Sequence, residues 1–300
     1  MDAGLITVVL PLALGIVMMG LGLELTPKDF ARVTQQPKAV LIALFSQLIL
    51  LVGVAFLLCK IFALPPLLAV GLMLLAASPG GSTANLFSYL FKGDVALNIT
   101  LTAINSVLAA VTLPFIVNFS IGHFMNDAQQ INLQFSKIIQ VFSIIIVPVG
   151  IGMLIRHFAP NFTRKMNKPV RIFAVVFLIL IIVAAFMKER ANIMEYFAQI
   201  GAATILFCII SLSVGYFVPR MLGIHTTQAR ACAFEIGIHN GTLAITIALT
   251  VLQNSTISMP AAVYSLFMYI IAAGFGMLLN KFDRAAEPAQ SRNPSLELES

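Results

Sequence analysis

Charged side chains are scarce in this sequence: they make up 10% of its 300 residues, hydrophobic ones 59%, and the mean hydropathy is +0.98. Soluble domains carry about 25% charged and 45–50% apolar residues, so a water-soluble fold is excluded. Tryptophan is absent, which leaves any interfacial aromatic belt to the five Tyr and part of the 23 Phe. The three cysteines, Cys59, Cys208 and Cys232, sit in or beside apolar stretches with no C-x-x-C and no His at ligand spacing. A disulfide framework and a zinc centre are thereby excluded. No Lys or Arg precedes Lys28, so the first apolar run lacks the basic start of a signal peptide and reads as a retained membrane span.

What is present is a succession of apolar runs of spanning length. They predict nine crossings, 4–24, 38–62, 66–91, 95–121, 137–156, 170–188, 196–218, 226–253 and 257–280, within one integral membrane domain over 1–280. With the N-terminus outside and the C-terminus cytoplasmic, 14 of the 18 Lys and Arg face the cytoplasm, and Lys60, Lys137, Lys188 and Arg190 do not. That asymmetry is the positive-inside bias, so the net charge of +6 reports topology and not nucleic-acid binding. Residues 281–300 turn polar and are expected to be a disordered cytoplasmic tail.

Two spans are interrupted in their middle. Ser78-Pro79-Gly80-Gly81-Ser82-Thr83-Ala84-Asn85 splits the third, because Pro removes a backbone donor and the two glycines favour unwinding. Glu235-Ile236-Gly237-Ile238-His239-Asn240-Gly241-Thr242 splits the eighth. By the parity of the crossings these two spans run in opposite directions, which points to an inverted repeat of 4–121 with 137–280 and a site at the bilayer midplane.

Eleven of the 12 acidic residues fall in loops, helix ends or tails, and the exception is Glu235. It lies about 14 Å along its span at 1.5 Å per residue, near the middle of a core about 30 Å thick. A carboxylate there costs about 2.5–3.5 kcal/mol on insertion scales, so it calls for a cation, a cavity or a partner. Oxygen donors for a hard cation exist in Gln47, Asn85, Asn98 and Thr102 and in carbonyls freed by unwinding; taken singly, each is commonly interhelical hydrogen-bond glue. The interruptions also start two half-helices inside the protein, whose first-turn N–H groups and positive dipole ends suit an anion. Ser82, Thr83, Asn240, Gly241 and Thr242 occupy those turns. His239, four residues after Glu235, is a ligand, a proton-linked switch or a hydrogen-bonded core residue. Pro114 and Pro148 read as kinks in packed spans.

The stretches GLGLELTPKDF (20–30), SPGGSTANLFSYLFKGDVALNITLTA (78–103) and EIGIHNGTLA (235–244) resemble, in this order, the bile acid:sodium symporter family. The resemblance implies an all-α polytopic fold with core and panel subdomains, in which two discontinuous helices cross beside two sodium sites. It maps the first site onto Ala84, Asn85, Asn98, Thr102 and Glu235, and the second onto Gln47, Glu235, His239 and the carbonyls of Ile236 and Ile238. Ala84 stands where members often have Ser, Asn98 where they have a small hydroxyl residue, and His239 where they have Gln. An imidazole nitrogen is a poorer donor than an amide oxygen for a hard ion, so a proton on His239 is the alternative to the second sodium. Members of ten spans suggest that this chain begins at their second.

The expectation is a symporter of a small organic anion coupled to sodium, with no further cofactor or metal, in a bacterial inner membrane. Bile acids are only the family name, and in a bacterial chain a smaller carboxylate, such as a vitamin precursor or keto acid, is expected. The alternatives are a proton-coupled carrier, an efflux permease of related fold, which would want a Cys beside the first break, a receptor-like sensor, and an intramembrane hydrolase using Ser78 or Ser82 with His239.

Overall fold

The computed structural model describes residues 8–125 and 135–286, with side chains described over 8–125 and 139–282. Residues 4–7 of the first expected span and 287–300 of the expected tail lie outside them. Among the described residues the chain is helical and forms no strand. Its helices are α1 (Leu10–Glu24), α2 (Pro27–Ala31), α3 (Pro37–Phe45), α4 (Leu51–Ile61), α5 (Pro66–Ala77), α6 (Ser82–Leu90), α7 (Val95–Phe124), α8 (Phe135–Phe158), α9 (Pro160–Lys188), α10 (Ile193–Met221), α11 (Thr226–Gly237), α12 (Gly241–Thr250) and α13 (Ser255–Ala286).

Among the described residues six helices are long and apolar enough to cross a bilayer: Pro37–Ile61, Val95–Phe124, Ile139–Phe158, Pro160–Lys188, Ile193–Met221 and Ser255–Phe282. Leu10–Glu24, taken with the segment Pro27–Thr34 bent 67° away from it, makes a seventh. The chain is thus an integral membrane protein. The segments expected to cross as 66–91 and 226–253 are each split, into α5 with α6 and α11 with α12, and neither holds a single helix long enough to span. Helix α13 runs to Ala286, six residues into the segment expected to be disordered. The residues KFDRAA continue it because Lys, Arg and Ala favour helix and cations suit its C-terminal end.

The split helices form the centre. From Ala229 to Gly237 and from Gly241 to Thr250 every residue is buried, as are Leu68 to Ala77 of α5. Around them pack α7, α10 and α13, while α1, α8 and α9 pack on one another and meet the centre through α1 and α9 on α12, α9 on α13 and α7 on α8. Gly22 and Gly152 bring α1 and α8 into backbone contact, since a Cβ on either would overlap the other helix's main chain. The Pro114 and Pro148 positions lie inside helices that continue past them.

The turn after α1 is held by side chains of the GLGLELTPKDF stretch. The Thr26 N–H donates to Asp29 Oδ2 at 2.7 Å, half of a capping box that starts α2. Arg156 of α8 donates to Leu23 O at 3.0 Å, and Arg171 of α9 pairs with Glu24 at 2.9 Å. The bend is therefore tied to both neighbouring helices.

Candidate functional site

The two interruptions meet. Gly80 and His239 form an isolated antiparallel bridge, in which the Asn240 N–H donates to Pro79 O at 2.9 Å and the Gly81 N–H to Ile238 O at 3.4 Å. Unwinding frees backbone groups in a region without water, where each unpaired one is costly, and each break satisfies groups of the other.

Glu235 sits one turn before the second break and is 1% exposed. Thr102 Oγ1 donates to its Oε2 at 2.5 Å and Asn105 Nδ2 to its Oε1 at 3.2 Å. Gly80 leaves the space for this carboxylate, because a Cβ there would fall 2.5 Å from both oxygens. Asn98, a turn before Thr102 on α7, donates through Nδ2 to Ser88 Oγ at 2.7 Å and to Ala231 O at 2.9 Å, joining α6, α7 and α11. Its Oδ1 lies 3.5 Å from Thr102 Oγ1.

Ala84 and Asn85 are buried in the first turn of α6, and Asn85 Oδ1 has no hydrogen-bond partner among the described residues. An orphaned oxygen beside a carboxylate-bearing break is the kind of donor a hard cation takes. Gln47 is buried on a π-helical turn, Ser46–Leu50, set between α3 and α4. Its Nε2 donates to Ser78 O at 3.2 Å, and its Oε1 is likewise unpartnered. An inserted π turn of this kind re-aims one side chain without ending the helix.

His239 is 2% exposed. The Tyr264 hydroxyl donates its single proton to Gly237 O at 2.8 Å, so the 3.1 Å contact of Tyr264 with His239 Nδ1 requires Nδ1 to carry a hydrogen. Nε2 is then an acceptor, and it has no partner among the described residues. Arg230 donates to Phe91 O and, at 2.6 Å, to Asn280 Oδ1.

Ser82, Thr83, Asn240, Gly241 and Thr242 line one narrow cleft, of about 50 Å³, between the half-helix first turns and the wall made by α1 and α9. Asn240 also caps α12, its Oδ1 accepting from the Leu243 N–H at 3.0 Å. Ser78 Oγ donates to Leu75 O at 2.6 Å and so is not presented to His239 as a nucleophile. Among the described residues no group of three or more His, Cys, Asp or Glu is gathered as a metal site.

Sequence reasoning missed Asn105, Tyr264, the π turn and Arg171. Asn105 was legible in part, because Asn98, Thr102 and Asn105 stand at i, i+4 and i+7 on one helical face. Arg171 was counted among the topological charges, and its place in the cleft depends on which way α9 faces.

A model of the Sodium Bile acid symporter family matches residues 11–196, a range that holds the first break and ends ahead of α11. The chain is 26% identical over 254 residues to the uncharacterized sodium-dependent transporter YocS of Bacillus subtilis, covering 85% of this chain and 77% of that protein. It is 30% identical over 238 residues to the P3 protein of Homo sapiens, covering 79% of this chain and 49% of that protein, so it spans about half the length of that relative. To the probable sodium/metabolite cotransporter BASS1, chloroplastic, of Arabidopsis thaliana it is 26% identical over 278 residues, covering 92% of this chain and 67% of that protein.

Proposed function

From the premise that the chain belongs to the sodium bile acid symporter family, a family of transporters and not of enzymes, we propose that it is a secondary active symporter carrying a small organic anion with sodium by alternating access. The observation that carries the reading is Glu235: a carboxylate deep in the protein, with Thr102 and Asn105 on it and an orphaned Asn85 oxygen in the crossing helix. A sodium ion among Ala84, Asn85, Asn98, Thr102 and Glu235 would neutralise that charge and tie α6, α7 and α11 together. A second, among Gln47, Glu235, His239 and the carbonyls of Ile236 and Ile238, draws support from the unpartnered Gln47 Oε1.

The anion then meets Ser82, Thr83, Asn240, Gly241 and Thr242 at the two half-helix ends. In this reading α5 with α6 and α11 with α12 each cross once, which gives nine crossings and two oppositely oriented halves, 4–121 and 137–280. Helices α1, α8 and α9 serve as the panel against which the remaining core rocks. With the N-terminus outside and the C-terminus in the cytoplasm of a bacterial cell, the cleft opens inward, on the side of Lys28 and Arg171.

The bare Nε2 of His239 favours a second reading of the coupling, in which a proton on that nitrogen replaces the second sodium. Purified protein in liposomes, given small carboxylates under an imposed sodium or proton gradient, decides both points. The symport reading expects sodium-driven uptake of at least one acid, lost in Glu235→Gln. Uptake that ignores both gradients, or that survives Glu235→Gln unchanged, overturns it.

A further inference from the structure

Arg171 is the one Lys, Arg, Asp or Glu among the residues lining the cleft. It stands on α9, among the apolar side chains of Val17, Leu21, Ala174 and Val175, with the first turns of α6 and α12 also lining the cleft. Its single polar contact among the described residues is the 2.9 Å bond from Nη2 to Glu24 Oε1. A guanidinium has five N–H donors in a planar fork, so most of them are uncommitted. The Arg171 side chain is 43% exposed and that of Glu24 13%: the arginine reaches into open space while its partner is held back.

A carboxylate meets the same fork with two parallel bonds. His239 lines the same cleft and is 2% exposed, and its unpartnered Nε2, an acceptor, calls for a donor group of the ligand and not for its carboxylate.

We infer that Arg171 clamps the carboxylate of the transported acid from the α9 side while the half-helix ends hold it from the other. Glu24 is a positioning residue that keeps the fork aimed across the cleft. The inference rests on the symport reading and adds to it the residue that selects charge. It predicts that a neutral amide of the same shape is rejected.

The test measures thermal stabilisation of the purified, sodium-loaded protein by a panel of monocarboxylates of about four to eight carbons, their primary amides and the matching dicarboxylates. Four proteins are compared: the parent, Arg171→Gln, Arg171→Lys and the exchange Glu24→Arg with Arg171→Glu. The exchange restores the ion pair but moves the cation off the cleft wall, since Glu24 does not line it. Expected are stabilisation of the parent by an acid and not its amide, at least tenfold weaker binding in Arg171→Gln, an intermediate loss in Arg171→Lys, and an exchange variant as stable as the parent that does not bind the acid. The sodium response stays unchanged in all four. Acid binding of parental strength in Arg171→Gln or in the exchange variant overturns the role of Arg171 and leaves the symport reading standing. No acid stabilising the parent removes the symport reading and this inference with it.

Discussion

Gly80 lies against the carboxylate of Glu235, so close that a methyl group on its Cα would stand 2.5 Å from both carboxylate oxygens. The first interruption thus provides the space in which the acid of the second is housed. Thr102 and Asn105 fix the carboxylate from α7, so it cannot swing aside without losing both donors. Gly80→Ala is expected to abolish sodium-driven uptake and to lower stability by about 1–3 kcal/mol, the usual cost of overpacking. Uptake and unfolding temperature in the same preparation check this; a variant that transports normally refutes the tight fit.

Thr102 supplies the shorter of the two bonds to Glu235. A hydrogen bond to a charged group is worth about 1.5–3 kcal/mol, which corresponds to roughly 10- to 100-fold in an equilibrium constant. Thr102→Val keeps the shape and removes the donor, and is expected to shift the sodium concentration for half-maximal uptake by an amount in that range. Thr102→Ser keeps the hydroxyl and should stay near the parent. Equal behaviour of the two variants would assign Thr102 to packing alone.

At His239 the Tyr264 hydroxyl fixes the hydrogen on Nδ1 and leaves Nε2 bare. If that nitrogen takes a proton in place of a sodium ion, His239→Gln should make uptake more steeply dependent on sodium and less dependent on pH. Initial rates over a grid of sodium concentration and pH supply the comparison. A steep sodium dependence already present in the parent, unchanged by the substitution, would favour two sodium ions.

Where α1 meets α8, a Cβ on Gly152 would overlap Met19 O and the Gly22 backbone, whereas one on Gly150 would have nothing within 4 Å. Gly152→Ala is therefore expected to lower the unfolding temperature through a loss of about 1–3 kcal/mol. Gly150→Ala, two positions along the same helix, should leave it within experimental scatter. Identical melting of the two variants would show that the close approach is not required.

Much of the site was legible in the sequence because depth in a bilayer penalises polarity. Glu235 stood out as the one deep acid, and the Pro-Gly-Gly and Gly-Ile-His-Asn-Gly runs stood out against apolar surroundings. Less legible was anything set by which face a helix turns inward. Tyr264 reaches Gly237 across 27 positions, and no local pattern announces it. The π turn at Ser46–Leu50 contains no Gly or Pro that would announce it, and its Gln47 bonds across to Ala76 O of α5, a tertiary contact. Arg171 carried a topological signal that masked its place on the cleft wall. The end of α13 was misjudged because polar composition near a terminus resembles disorder even where the residues favour helix.

The bridge between Gly80 and His239 joins positions 159 residues apart. A ribosome adding about 5–20 residues per second therefore finishes the first break on the order of 10 s before the residues that will pair with it exist. Throughout that interval Pro79 O and the Gly81 N–H lack the partners that the finished fold gives them, in a solvent that offers no substitute. Insertion of this protein is consequently a problem of order in time: α5 and α6 must wait, shielded by neighbouring helices or the insertion machinery, for α11 and α12 to arrive.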